Sequence, residues 1–165
     1  MEVEQIQKLH PGLFHCPYKE VERLMPEIFP IVQECPADYL IDSVLDVKIH
    51  MLMPNQWPCI PNWHHDLVPR TKVGTQDYTA VNTHKKMYLW LSGAPFTEFS
   101  DGEFIKPRSW HGFTQLDSHR GTMSTIFTWR IFIRVAPPEF ISVGIPDQWL
   151  RRHSQVYLDV NNFKW

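Results

Sequence analysis

Apolar and polar positions alternate most regularly over residues 43–53. Leu45, Val47, Ile49, Met51 and Met53 interleave there with Asp46, Lys48, His50 and Leu52. Side chains two apart share a face of an extended chain, so the stretch reads as a strand with one continuous apolar face. A second alternation covers residues 125–135. Phe127, Trp129, Ile131, Ile133 and Val135 turn one way, and Thr128, Arg130, Phe132 and Arg134 turn the other, until Pro137-Pro138 ends the run. Between the two, Met-Tyr-Leu-Trp-Leu at 87–91 forms a strand closed by Ser92-Gly93-Ala94-Pro95, and residues 110–116 form another. Two shorter strands are expected near 96–99 and 103–106, joined by Asp101-Gly102, a favoured hairpin turn.

The period changes to a helical one at Pro17. Val21, Leu24, Met25 and Ile28 make a single apolar stripe, with Glu20, Glu22 and Arg23 on the wet side. Pro26 and Pro30 interrupt it, which predicts a short helix ending near Met25 and a second short turn after it. Residues 1–16 show no clear period. Residues 69–84 are polar, with Gly74 as a turn signal, and read as an exposed loop able to act as a lid. The last part, 139–165, carries Trp149, Leu150, Tyr157, Phe163 and Trp165 and is expected to pack back on the body. One domain spans 1–165: a mainly β core at 43–136, an N-terminal helical cover on one sheet, and a C-terminal extension. Short strands, hairpin signals and helices confined to one side predict a β-sandwich or jelly roll, whose mouth can hold a metal.

Composition narrows the function. The net charge of −2 gives no general basic surface for phosphate backbones, although a local groove for nucleic acid stays compatible with it. The three cysteines are widely spaced and show no Cys-x-x-Cys zinc pattern, so neither a zinc knuckle nor a disulfide framework is expected. The N-terminus lacks the basic region and apolar run of a signal peptide, and no apolar run approaches bilayer length. A cytoplasmic protein without membrane contact is the expectation.

The chemistry centres on Pro61-Asn62-Trp63-His64-His65-Asp66-Leu67. In an extended segment His64 and Asp66 point to one face and can converge on a metal ion, while His65 points away. Two ligands from one strand and a third from a distant one make a facial triad, which leaves three open positions on iron. His-x-Asp alone is a weak signal in a chain with nine histidines. Residues further along the chain give it weight. His119, in Asp117-Ser118-His119-Arg120-Gly121, offers a third ligand, with His111 as a rival. Eleven positions past His119 lies Arg130, in the middle of the final strand, and Arg134 rivals it on the same face. An arginine inside a sheet sandwich is costly unless an anion meets it, and a ligand carboxylate suits its fork.

His64-x-Asp66, a distal His119 and Arg130 about one strand later resemble the iron(II)/2-oxoglutarate-dependent dioxygenases. The Pro-Asn-Trp-His-His-Asp-Leu phrase is similar to the corresponding stretch of the phytanoyl-CoA hydroxylase-like branch. His119-Arg120-Gly121 followed by Trp129-Arg130-Ile-Phe-Ile-Arg134 is similar to that superfamily's end motif. The resemblance covers roughly residues 43–136 and implies a double-stranded β-helix, a jelly-roll variant related to the cupins. It implies that His64, Asp66 and His119 hold Fe(II), and that 2-oxoglutarate chelates the metal. It further implies that Arg130 binds the far carboxylate, with a hydroxyl from Tyr88 or Thr128 helping. The reaction implied is oxidation of a substrate, most simply a small molecule, coupled to decarboxylation of the oxo acid to succinate and CO2. A nucleobase or protein side chain is equally compatible as substrate.

Two readings of other classes accompany this one. A cupin-like metal enzyme would use the three ligands without the oxo acid, and Arg130 separates it from the first. A binding module on a jelly-roll scaffold would hold no metal, and substituting His64 would leave its partner binding intact.

Overall fold

The two long alternating segments pair with each other. The computed structural model describes residues 3–9, 12–151 and 153–158. Its strands are β1 (Gly12–Pro17), β2 (Val44–Leu52), β3 (Gln56–Trp57), β4 (Met87–Leu91), β5 (Thr97–Phe99), β6 (His111–Phe113), β7 (His119–Gly121), β8 (Thr128–Ala136) and β9 (Tyr157–Leu158). Three short helices, α1 (Val3–Ile6), α2 (Tyr18–Leu24) and α3 (Phe29–Gln33), precede β2 or flank β1. The protein is mainly β, with antiparallel pairing throughout. β2 and β8 run antiparallel in unbroken register from Val44↔Ala136 to Leu52↔Thr128. They form the centre of a five-stranded sheet ordered β1-β2-β8-β4-β6. Two small sheets, β5-β7 and β3-β9, complete the strand set of the described residues.

Both faces of the large sheet are covered. On one, Leu45, Val47 and Ile49 of β2 and Ile131, Ile133 and Val135 of β8 bury against Val21, Met25, Ile28 and Val32 of the helical region. Val21, Met25 and Ile28 belong to the 3.6-residue stripe, whose fourth member Leu24 is partly buried, and full burial of each such side chain is worth about 1.5–3 kcal/mol. Cys16 and Cys35 join the same core as small hydrophobes, and burial pushes their thiols up to about 12 and about 11. On the other face, Met87, Leu89 and Leu91 of β4 and Phe132 of β8 pack with Phe99, Ile105 and Phe113.

Several strands are shorter than the alternation predicts. The final strand begins at Thr128, not at 125, and the 110–116 segment is a strand only over His111–Phe113. Residues 103–106 make a single bridge, Glu98↔Phe104, around the Asp101-Gly102 turn. The apolar face of β2 is buried through Ile49, but Met51 is exposed. The polar face of β2 departs most from a solvated surface, since Asp46, His50 and Leu52 are all buried.

The C-terminal extension packs back as expected over its described part. Phe14 and Arg151 N–H donate to the Trp149 and Gly12 carbonyls, and Trp149 Nε1 donates to the Gly144 carbonyl at 2.6 Å. Tyr157–Leu158 pairs with Gln56–Trp57, while Phe163 and Trp165 lie outside the described residues. Among the described residues, no helix is long and apolar enough to cross a membrane.

Candidate metal centre

The second buried face of the large sheet is the floor of the site. Antiparallel register places Asp46 opposite Arg134, Lys48 opposite Phe132, and His50 opposite Arg130. Directly opposed residues share a face, so these six side chains lie on the side that carries Leu89 and Leu91. Five of the six come from the polar positions of two alternating strands. The alternation therefore marks an interior with chemistry in it, not a wet surface.

The wall facing this floor brings the histidines together. His64 forms an isolated antiparallel bridge to His119 at the start of β7. The His64 N–H donates to the His119 carbonyl at 3.0 Å, and the His119 N–H returns the bond at 2.9 Å. Their rings lie 4.6 Å apart, centroid to centroid. Asp66, two residues on, turns to the same side, after which Leu67 reverses the chain at φ 54°, a left-handed conformation rare for a bulky residue. One donor atom from each of His64, Asp66 and His119 falls within 4.8 Å of the other two.

The imidazoles are held in one tautomer. His64 Nδ1 lies 2.9 Å from the Asn62 carbonyl oxygen, and His119 Nδ1 lies 3.1 Å from that of Asp117. A carbonyl only accepts, so each Nδ1 carries a proton, which leaves Nε2 as the ring nitrogen a metal would engage. This arrangement, with one ring nitrogen fixed by a carbonyl two residues upstream, orients metal-binding histidines. Burial lowers the His64 pKa, which keeps its ring neutral and able to donate its lone pair.

Asp66 is kept ionised by its neighbours. Burial acts to raise its pKa, but Arg134 overcomes this by charge and by an Nη1–H to Oδ2 bond of 2.6 Å, and His119 adds to the effect. The carboxyl is held far below the usual carboxylate range. Arg134 also donates to Asp46, which in turn accepts the His15 N–H at 3.1 Å. His15 sits at φ 48° where the β1–β2 register is irregular, so the bulge aims that N–H at Asp46. Arg134 is thus bound on both sides by carboxylates and has no free fork for a ligand. Its pKa is raised against the cost of burial by Asp66 and Asp46.

Arg130 is the opposite case. It is 1% exposed, yet its Nε and Nη1 have no hydrogen-bond partner among the described residues. Its Nη2 reaches only the Thr97 hydroxyl, at 3.5 Å. Burial lowers its pKa to about 10, and no carboxylate offsets this. A buried guanidinium without an anion is an expensive arrangement, and the His50 ring opposite it, whose two nitrogens also lack partners among the described residues, does not relieve it.

A cavity of about 260 Å³ joins these elements, lined by His64, Asp66 and His119, by Thr97 beside Arg130, and by Lys48 and Phe132. A larger cleft of about 510 Å³ adjoins it and shares His65, Arg70 and Gln76 with it. Arg70 and Gln76 come from the exposed 69–84 loop, so that loop borders both spaces.

His111 stands outside the donor cluster. Its ring lies tilted against Phe99, centroids 4.6 Å apart, and the Phe99 ring also meets His119 at 5.4 Å. Thr128 lies on the Arg130 face, but its hydroxyl is 3.4 Å from the Trp129 carbonyl. Tyr88 is a correction. It pairs with Val135 across β4–β8 and packs with the helical core, so it lies on the wrong side of the sheet for Arg130. Thr97 takes the place expected of it. The alternation of Thr97 and Phe99 around Glu98 was the available signal, since it turns Thr97 to the side of Phe99. Lys48 and Tyr157 also line the cavity, and no motif in the sequence marks them.

Two imidazoles anchored through Nδ1 and one ionised carboxylate make a set that suits a divalent first-row metal with positions left open. No protein-family model matches the chain, and no curated protein or solved structure is significantly similar to it.

Proposed function

We propose that this chain is an iron(II)/2-oxoglutarate-dependent dioxygenase, a hydroxylase of a small molecule, built on a double-stranded β-helix. The observation that carries the reading is the pairing of two features: the His64, Asp66 and His119 donor cluster in the 260 Å³ cavity, and the buried Arg130 behind its wall, which reaches the lining residue Thr97 and has no anion among the described residues. Either feature alone fits several kinds of site. Together they fit a metal with an anion bound beside it on the same sheet face, which is what a chelating dicarboxylic oxo acid requires.

His64 and His119 would hold iron through Nε2, and Asp66 through its carboxylate. Iron and 2-oxoglutarate, when bound, supply the oxidising chemistry, in which the oxo acid is decarboxylated to succinate and CO2 as dioxygen is consumed. Arg130 would receive the far carboxylate of the oxo acid, with the Thr97 hydroxyl beside it. Arg134 keeps Asp66 ionised and aimed, by the 2.6 Å bond it donates. Phe132 and Leu89 supply an apolar part of a cavity wall that is otherwise rich in polar side chains. The adjoining 510 Å³ cleft is of a size to take a small substrate, with Arg70 and Gln76 of the 69–84 loop at its junction.

The test is spectroscopic. Metal-free protein is given Fe(II) and 2-oxoglutarate without oxygen, and bidentate chelation produces a weak visible charge-transfer band. The band is expected in the wild type, absent in His119→Ala and weaker in Arg130→Ala. Succinate release on admitting oxygen should follow the same order. Retained iron with no band and no succinate would leave a metal enzyme that does not use the oxo acid.

A further inference from the structure

Lys48 is the one charged group on the floor to which the dioxygenase reading gives no task. It projects from β2 on the face shared with Arg130, Phe132 and Arg134, and it lines the 260 Å³ cavity. Its ammonium stands 5.2 Å from the Phe132 ring centroid. The nearby carboxylates are engaged elsewhere, because Asp46 and Asp66 are both held by Arg134. An ammonium carries three donors and is strongly hydrated, so a face-on ring alone satisfies it poorly in a confined space.

Its position along the floor is specific. The floor has three successive rows: Asp46 with Arg134, Lys48 with Phe132, and His50 with Arg130. The first row is tied to the metal-donor cluster through Asp66, and the third carries the buried guanidinium. Lys48 occupies the middle row. A dicarboxylic oxo acid that reaches from the donor cluster to Arg130 must pass over it. Charge points the same way. Of the charged residues that line the cavity, Lys48, Arg70 and Arg134 stand against Asp66, so the space is net positive before any metal binds.

We infer that Lys48 is a positioning residue for the co-substrate, its ammonium pairing with the carboxylate next to the keto group while Arg130 takes the far one. This rests on the dioxygenase reading. The assignment separates the two cations by which end of the same molecule each one senses.

Calorimetric titration under anaerobic conditions tests it on the Fe(II)-loaded protein with two ligands. 2-Oxoglutarate carries both carboxylates, and 2-oxobutyrate keeps the keto acid end and lacks the far carboxylate. Lys48→Met, which keeps the stem against Phe132, is expected to weaken both ligands by a similar factor, about tenfold for loss of one charge-assisted bond. Arg130→Met is expected to weaken 2-oxoglutarate and leave 2-oxobutyrate nearly unchanged. Because a variant can fail to fold, a second measurement uses the wild type. Reductive methylation of Lys48, followed by mass spectrometry, should be slowed by either ligand. A Lys48→Met loss confined to 2-oxoglutarate would put Lys48 at the far carboxylate and overturn the assignment. Unchanged affinities, or methylation unaffected by ligand, would reduce Lys48 to a packing residue. If iron-loaded wild type binds neither oxo acid, the dioxygenase reading itself fails, an outcome distinct from the other two.

Discussion

Arg130 and Arg134 stand four positions apart on one face of β8, and their electrostatic surroundings are opposite. Arg134 is clamped between Asp46 and Asp66, whereas among the described residues the Thr97 hydroxyl at 3.5 Å is the one hydrogen-bond partner of the Arg130 side chain. Their substitutions should therefore separate. Arg134→Met strands the buried Asp46 and the half-buried Asp66 and should cost about 3–5 kcal/mol in metal-free protein, the usual penalty for breaking a buried pair. Arg130→Met removes a buried charge with no acid beside it. It should leave stability within about 1 kcal/mol of wild type or raise it, while weakening 2-oxoglutarate binding. Urea unfolding of both variants decides the matter, and equal losses would mean that Arg130 has a structural counter-charge.

The same contrast shows how far the chain could be read from its residues. Alternation located β2, β4 and β8 and sorted their faces, because a period of two leaves little freedom once one face is buried. His-x-Asp, His119 and Arg130 were legible as spacing and order along the chain. The choice of His119 over His111 was not, because both reach the same side of the sheet and only the His64–His119 backbone bridge distinguishes them. Nor was the choice between Arg130 and Arg134, since each lies on the polar face of β8 and the partners that differ are far away in sequence. Tyr88 was misplaced for a simpler reason. Strand β4 alternates too, and the sequence of Met-Tyr-Leu-Trp-Leu does not say which of its two apolar faces meets the helices.

His50 should make the protein acid-sensitive well above the carboxylate range. It is 1% exposed, and burial, with Arg130 and then Lys48 adding repulsion, depresses its pKa to about 2. An unfolded-chain histidine titrates near 6.5, so below that pH the unfolded state binds a proton that the folded state refuses. The stability contribution is complete above pH ~6.5 and is lost as pH falls toward 2, by up to about 1.4 kcal/mol per unit for this one group. Asp46, whose pKa is lowered by Arg134 against the effect of burial, acts in a separate window below pH ~4. Urea unfolding of metal-free protein between pH 7 and 4.5 should show a shallower slope in His50→Leu than in wild type, by nearly one proton. Parallel slopes would mean that His50 is protonated in the folded state.

Metal should stabilise the fold through three residues and not a fourth. A ligand that binds only the folded state adds RT ln(1 + [L]/Kd), about 2.7 kcal/mol at a hundredfold excess over Kd. Mn(II), which substitutes for iron without oxidising in air, should raise the thermal midpoint of the wild type and of His111→Ala. The rise should vanish in His119→Ala and His64→Ala, because each removes one of the three clustered donors. A midpoint shift lost in His111→Ala and kept in His119→Ala would reverse the ligand assignment.

The strand that delivers His119 depends on a close approach two residues away. Gly121 ends β7, and a Cβ built there would lie 2.6 Å from the Cys59 sulfur, with the Cys59 backbone nitrogen and Pro58 at 3.4 Å. The sulfur is the obstacle, since the other contacts are ordinary van der Waals distances. Gly121→Ala should therefore overpack the site and cost about 1–3 kcal/mol, and it should weaken metal binding by displacing the His119 end of the strand. Cys59→Ala removes the sulfur, so the Gly121→Ala, Cys59→Ala double variant should recover most of both losses. The recovery appears as a favourable coupling in a double-mutant cycle read from urea midpoints and Mn(II) affinity. Additive losses would place the cost of Gly121→Ala in the backbone of β7, and the contact with Cys59 would not be what holds His119 in place.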